Sequence, residues 1–273
     1  MRPSTVFDQF YTKDSVAKQC YETLLHHINV DDYDIVLEPS AGKGAFFKLF
    51  PTDKRVGLDI DPKCEGVATL NYFDFSPRAQ KTYIVVGNPP FGRISSLAVK
   101  FFNHSTFAKI IAFIIPRTFK RVSIQNQLSL HFHLLYTEDL PLNPCCFEPK
   151  MSAKCCFQIW KREQVPRTRV QYDKSHKDFS FQPLGPKDRN RQPTPPTTAD
   201  FALKAYGSHC GEILETGLEH LRPKSWHWIK ANIDLDTLKE RLKTLDYSMS
   251  KDTVRQDSIG QKELIYLYQC TYG

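Results

Sequence analysis

The stretch Ile84-Val85-Val86-Gly87-Asn88-Pro89-Pro90-Phe91-Gly92 carries the most specific chemistry in the chain. An apolar run feeds straight into two prolines, which fix φ and lack N–H groups, so the carbonyls around them are rigidly aimed acceptors. The Asn88 side-chain oxygen adds another acceptor, and Phe91 offers a flat apolar face. A planar ring bearing an exocyclic amine, with its two N–H donors, matches this array. A Pro-Pro pair by itself more often just ends a strand. Here it follows a run of the kind buried in a sheet, downstream of a glycine turn and a series of acids.

That glycine turn is Glu38-Pro39-Ser40-Ala41-Gly42-Lys43-Gly44, placed after Ile35-Val36-Leu37. It is expected to lead from a strand through small residues into a helix, letting a ligand lie against the backbone at the strand's carboxyl end. Phe47 stands where a dinucleotide fingerprint needs its third glycine, and Gly44 follows Lys43 where a phosphate-binding loop needs Ser or Thr. Asp59, with Ile60 behind it, comes 17 residues after Gly42, close to the spacing of about 20 at which a carboxylate accepts from ribose hydroxyls. Asp74-Phe75 ends the next element. Any one of these acids is ordinarily a solvated loop end or a helix cap. Three acids, Asp59, Asp61 and Asp74, in series after such a turn describe a nucleoside pocket.

Other reactive side chains read as structural. Cys145-Cys146 and Cys155-Cys156 are adjacent pairs without a Cys-x-x-Cys or paired-histidine partner, so no metal site is expected. His131 and His133 lack a nearby acidic ligand. Trp226-His227-Trp228 could stack on bases, although paired tryptophans in a small region more often belong to a core.

The elements that must hold these groups alternate. Val16, Cys20, Leu24 and Ile28 recur every four residues after Asp14-Ser15, which predicts a capped amphipathic helix. Near-continuous apolar runs at 34–37, 55–58, 83–86 and 110–115 predict a parallel sheet buried on both faces. The segments 134–136 and 155–160 read as its closing strands. The fold class is therefore α/β, doubly wound and Rossmann-like. Residues 1–160 form the catalytic domain in this reading and 161–198 a proline-rich basic linker. Residues 199–273 form a small α+β region for substrate recognition, with short strands near Leu203 and Ile213 and helical stripes at Leu235, Leu238, Leu242 and at Leu264, Ile265, Tyr268.

The chain has 273 residues, 41% hydrophobic and 25% charged, with a formal net charge of +7. That composition excludes wholesale disorder, a collagen-like fibre and a coiled coil. No apolar run nears the roughly 18 residues of a membrane span, and Met1-Arg2-Pro3-Ser4 opens no signal peptide. A cytoplasmic or nuclear protein with reduced thiols is expected. Between Lys161 and Arg191, nine basic residues against four acidic ones leave +5 of the +7. Such a stripe is either a solvated linker or the footprint of a polyanion binder, with Arg167, Arg169, Arg189 and Arg191 as its phosphate contacts.

In motif order the chain resembles the gamma-type DNA adenine methyltransferases, which use S-adenosylmethionine (SAM). Phe10-Tyr11-Thr12 matches the family's first segment, Glu38 to Gly44 its glycine motif, Asp59 its ribose-binding acid, Asp74-Phe75 its adenine-binding pair and Asn88-Pro89-Pro90-Phe91 its catalytic loop. The likeness covers about residues 7–160, and Phe91 departs from the usual tyrosine. It implies a SAM-methyltransferase sheet and methyl transfer to the N6 amine of adenine. The acceptor would be nucleic acid, DNA ahead of RNA, with Asn88, Pro89, Pro90 and Phe91 catalytic. Tyr11, Thr12, Glu38, Pro39, Ser40, Ala41, Gly42, Gly44, Asp59, Ile60, Asp74, Phe75 and Asn88 would line the cofactor pocket. Rival readings are a methyltransferase acting on an adenine or guanine amine of RNA or on a glutamine amide, and a catalytically idle nucleic-acid-binding protein of the same fold.

Overall fold

The computed structural model describes residues 9–273, and the Met1–Ser4 stretch lies outside them. The chain divides into two units, the first ending at Arg169 and the second spanning Val170–Gly273.

In the first unit the strands are β1 (Tyr11–Thr12), β2 (Ile35–Glu38), β3 (Arg55–Asp59), β4 (Val67–Thr69), β5 (Tyr83–Gly87), β6 (Ile110–Pro116), β7 (Phe132–Asp139), β8 (Phe147–Glu148) and β9 (Cys155–Arg162). The helices are α1 (Asp14–His27), α2 (Ser96–His104) and the single turn α3 (Val122–Gln125). Seven strands form one sheet in the order β4-β3-β2-β5-β6-β9-β7. The first five are mutually parallel, and β9 runs antiparallel to both β6 and β7. Every residue of β5 and β6 is buried, so both sheet faces are covered there, as the unbroken β-branched runs required. The chain lays β3 and β4 on one side of β2, then returns to place β5 on the other. This makes the carboxyl ends of β2 and β5 the topological switch point, where open α/β sheets bind ligands.

Three local expectations are corrected. The closing strands are antiparallel rather than part of an all-parallel sheet, and β7 keeps Leu134 and Leu135 exposed because it is an edge strand. The helix α1 begins at Asp14 after Lys13, with no side-chain cap, and buries Ala17, Cys20 and Leu24 rather than Val16. No α-helix follows the glycine turn: Gly42 and Gly44 take positive φ angles of 47° and 74°, and only the 3₁₀ turn Phe47–Leu49 forms before Pro51.

The second unit builds a four-stranded antiparallel sheet from β10 (Phe179–Phe181), β11 (Phe201–Lys204), β12 (Ile213–Leu214) and β13 (Trp226–Ala231), in the order β10-β13-β11-β12. Helices α4 (Leu235–Lys243) and α5 (Gln261–Tyr272) pack on it through Leu238, Leu242, Leu264, Ile265 and Tyr268. The segment 161–198 is thus not a separate connection in the structure. Its first part completes β9 and its later part supplies β10, where Phe179 is fully buried. Asp178 is anchored in the same core, accepting from Tyr268 (2.8 Å) and Arg241 (3.2 Å).

Candidate active site

Three segments far apart in sequence meet at the switch point. The Asn88 side chain leaves the end of β5 and donates from Nδ2 to the Phe10 carbonyl at 3.1 Å. The Asn88 carbonyl accepts from Ser40 Oγ at 3.1 Å, which ties the Pro-Pro loop to the turn after β2. With Nδ2 directed at Phe10, Oδ1 has a fixed orientation, and it is buried without a hydrogen-bond partner. A buried acceptor left unpaired costs about 1–3 kcal/mol, so its retention here marks a place where a ligand donor belongs. Thr12 Oγ1, on β1, is another buried polar atom without a partner.

The glycine turn is held from below and from the side. Asp59, at the tip of β3, accepts from the Gly42 amide at 2.7 Å through Oδ2 and from the Asp61 amide at 2.8 Å through Oδ1. A carboxylate offers about four acceptor positions, so two remain for ligand hydroxyls. Asp61 turns outward instead, its carboxyl held low by Lys63 at 2.6 Å and then by Gln9. Gly42 must be glycine for two reasons: its φ is +47°, and a Cβ there would lie 2.8 Å from the Tyr11 ring. Tyr11 is carried by β1, which pairs antiparallel with β8; Lys43 lies 4.9 Å over its ring and reaches Glu148 at 3.5 Å.

Glu38 is turned into the glycine turn itself. It is 4% exposed and accepts from the Phe47 amide at 2.6 Å, closing the turn upon itself. Burial pushes its carboxyl well above the ordinary range, against the pull of the Phe47 and Phe46 N–H groups. It is a positioning group for the turn. Pro39, Ala41 and Gly44 are buried in the same turn, whereas Ile60 is half exposed beside Asp59.

Asp74 and Phe75 are drawn in less directly. Asp74 is exposed in the 3₁₀ turn Tyr72–Asp74 and takes part in none of the hydrogen bonds described above. The Phe75 ring packs against Tyr72, Tyr83 and Phe107. At the other end of the loop, Gly92 has φ +66°, and a Cβ on it would lie 2.7 Å from Leu97. The Phe91 carbonyl accepts from the amides of Leu97 (3.2 Å) and Ala98 (3.3 Å), so the half-buried Phe91 is fixed to the start of α2.

No protein-family model matches the chain, and no curated protein does. Solved structures do resemble part of the chain. The 23S rRNA methyltransferase ErmE is similar at 17% identity and a TM-score of 0.44 over 58% of this chain and 71% of its own. A Pyrococcus horikoshii protein assigned as an RNA methyltransferase is similar at 15% and 0.43, over 59% and 91%. A dimethyladenosine transferase from Plasmodium falciparum gives 16% and 0.40, over 57% and 64%.

The four arginines expected on phosphate separate. Arg167 is committed to the protein: its guanidinium donates to the carbonyls of Phe132 (3.0 Å), Gln125 and Leu128 (3.5 Å) and lies 5.8 Å from the Trp160 ring centre. Burial lowers its pKa. It staples the segment after β9 to α3 and β7, which corrects the expectation of a phosphate contact. Arg169 is exposed in the first unit, and Arg189 and Arg191 are exposed in the second, in the turn closed by Asp188. His131 and His133 likewise bind carbonyls, of Glu163 and Val165.

Sequence reasoning missed the Phe10 carbonyl, the Phe47 amide and the Ser95–Thr118 pair. The last joins the loops after β5 and β6 through hydroxyls 2.8 Å apart, with Ser95 buried at φ +61°. A non-glycine residue at that φ was the available signal in the structure, and nothing local in the sequence announces it.

Proposed function

We propose that the chain transfers the methyl group of SAM to the exocyclic N6 amine of an adenine in nucleic acid, with DNA as the first substrate. The observation that carries this reading is Asn88 Oδ1, a buried acceptor without a partner, fixed by the Phe10 carbonyl at the mouth of the switch point. Adenine's amine is a weak nucleophile because its lone pair is delocalised into the ring. Asn88 Oδ1 accepts one of its hydrogens and the Pro89 carbonyl the other, which favours a pyramidal nitrogen with a localised lone pair. That nitrogen forms the N–C bond as the S–C bond breaks, the electron pair staying on sulfur, and then releases one proton to solvent. This is positioning and transition-state complementarity, with no tuned general base. Phe91 stacks on the base, which leaves the duplex to reach the loop.

The residues present fit the cofactor. SAM supplies an electrophilic methyl on a sulfonium. Asp59 keeps two acceptor positions for ribose hydroxyls, the turn at Gly42 brings backbone close, and Thr12 Oγ1 on β1 is a further buried polar atom without a partner.

The test is incubation of the full chain with methyl-labelled SAM and separate DNA, RNA and protein pools, followed by nucleoside analysis. N6-methyladenine in DNA is expected. Label confined to RNA replaces the substrate, label in a protein amide overturns the base reading, and no SAM binding overturns the enzyme.

A further inference from the structure

We infer that the second unit carries a binding groove for an unpaired nucleotide of a single-stranded nucleic acid, with Trp226 and Tyr206 as its stacking surfaces and Lys224 as its phosphate contact. The inference rests on the reading of the chain as a nucleic-acid enzyme and gives the second unit its part in it.

The groove lies between the 182–184 segment, the start of β13 and the chain near 258–261, and its volume is about 470 Å³, within the range of roughly 300–1,000 Å³ usual for ligand sites. Its walls are fixed to one another by main-chain bonds: Ile259 donates to the Ala205 carbonyl at 2.9 Å, Gly207 to Asp257 at 2.8 Å, and Tyr206 bridges Ser258. A shape held this way is present before any ligand arrives.

The lining side chains sort into three chemistries. Tyr206 is 45% exposed and Trp226 half-buried, although the neighbouring Trp228 is 2% exposed, with its indole N–H on the Pro223 carbonyl. Trp228 is the core tryptophan of this strand, whereas Trp226 leaves apolar ring surface at the groove. Gln261 offers an amide suited to a base edge, whereas the Gln182 amide is held by Thr198 (2.7 Å) and Ser180 (3.2 Å) and serves as wall. Lys224 is exposed and makes no ion pair among the described residues, and no residue lining the groove is acidic. One face of Trp226 is taken by Lys204, 5.6 Å from the ring centre and paired with Glu212 at 3.3 Å, so stacking uses the ring surface that lines the groove. Aromatic surface beside the unpaired Lys224, with no carboxylate in the lining, is complementary to a base with its phosphate. His227 adds no charge: burial lowers its pKa to about 4, and its Nε2–H points at the Ile259 carbonyl at 2.8 Å, which leaves Nδ1 as an acceptor.

The test uses the full chain and fluorescent single strands of DNA and of RNA about eight nucleotides long, a length within single-module site sizes. Anisotropy should report binding that Trp226→Leu weakens about 5- to 150-fold, the equivalent of one lost base stack, and that Trp226→Phe restores. Lys224→Gln, at an exposed position, should lower the slope of log affinity against log salt by about 0.7. The DNA and RNA arms identify which polymer the groove takes. Unchanged affinity in Trp226→Leu together with an unchanged slope in Lys224→Gln overturns the inference, as does a groove that takes a proline-rich peptide in place of either strand. SAM affinity of the same variants is measured in parallel. A wild-type chain that binds single strands but not SAM sinks the methyltransferase reading and leaves the groove standing.

Discussion

The Phe10 carbonyl sets the orientation of the Asn88 amide from 78 residues away in the sequence, 3.1 Å from Nδ2. An amide flipped end for end would set two acceptors against each other, so the backbone of the N-terminal segment decides that an oxygen, not an N–H, is the unpaired end. Asn88→Ala should therefore reduce methyl transfer by about 10²–10³-fold, the scale of deleting one preorganised polar group. SAM affinity, read by calorimetry, should stay nearly unchanged. Parallel loss of both would place Asn88 in the cofactor pocket rather than on the acceptor amine.

Asp59→Ala should behave in the opposite sense. A hydrogen bond to a charged group contributes roughly 1.5–3 kcal/mol, so SAM affinity should fall by one to two decades. Because Asp59 also holds the Gly42 and Asp61 amides, the melting temperature should drop as well. A folded Asp59→Ala chain with wild-type SAM affinity removes this carboxylate from the site.

Glu38 makes stability depend on pH in a defined direction. Its carboxyl titrates above the unfolded value of 4.5 because it is buried, so the folded state holds the proton more tightly than the unfolded one. Its contribution is complete below the unfolded pKa and declines as pH rises toward the folded one. Glu38→Gln keeps an acceptor for the Phe47 amide and removes the titration. Urea unfolding from about pH 5 to 8 should show a shallower decline for the variant than for wild type; parallel curves would mean the carboxyl is already ionised in the fold.

Arg167→Gln should cost about 1–3 kcal/mol of stability, because it strips donors from carbonyls that the chain has enclosed. The salt dependence of DNA binding should not move. Neutralising Arg169, Arg189 and Arg191, all exposed, should instead lower the slope of log affinity against log salt by about 0.9 for each contact made to duplex. An unchanged slope in the triple variant would make the exposed arginines solvated surface only.

The sheet was legible because its signal is local and redundant. The runs around Val85 and Ile111 are apolar at every position, short and rich in β-branched residues, as a strand covered on both faces requires. The Asn88-Pro89-Pro90 loop was legible because prolines constrain their own neighbours. The Phe10 carbonyl and the Phe47 amide were not, since a main-chain group has no residue identity and its partner is chosen by tertiary approach. Arg167 was misread for a related reason: composition registers a positive charge, while its use was decided by three carbonyls that arrive from positions 125, 128 and 132. The helix expected after the glycine turn failed where two left-handed residues, Gly42 and Gly44, keep the chain turning.

The pairing of β1 with β8 has a consequence in time as well as in affinity. Two residues form that ladder, and the Tyr11 ring that rests on Gly42 travels with it. Its flank is the exposed Lys43–Glu148 contact, of a kind contributing about 0–1 kcal/mol. Loop openings of this sort run in the microsecond to millisecond range and set turnover in many enzymes. A clasp this short should set the dwell time of a ligand resting against Gly42 by how often it releases. Glu148→Gln should shorten them, with faster dissociation in stopped-flow and little change in the association rate.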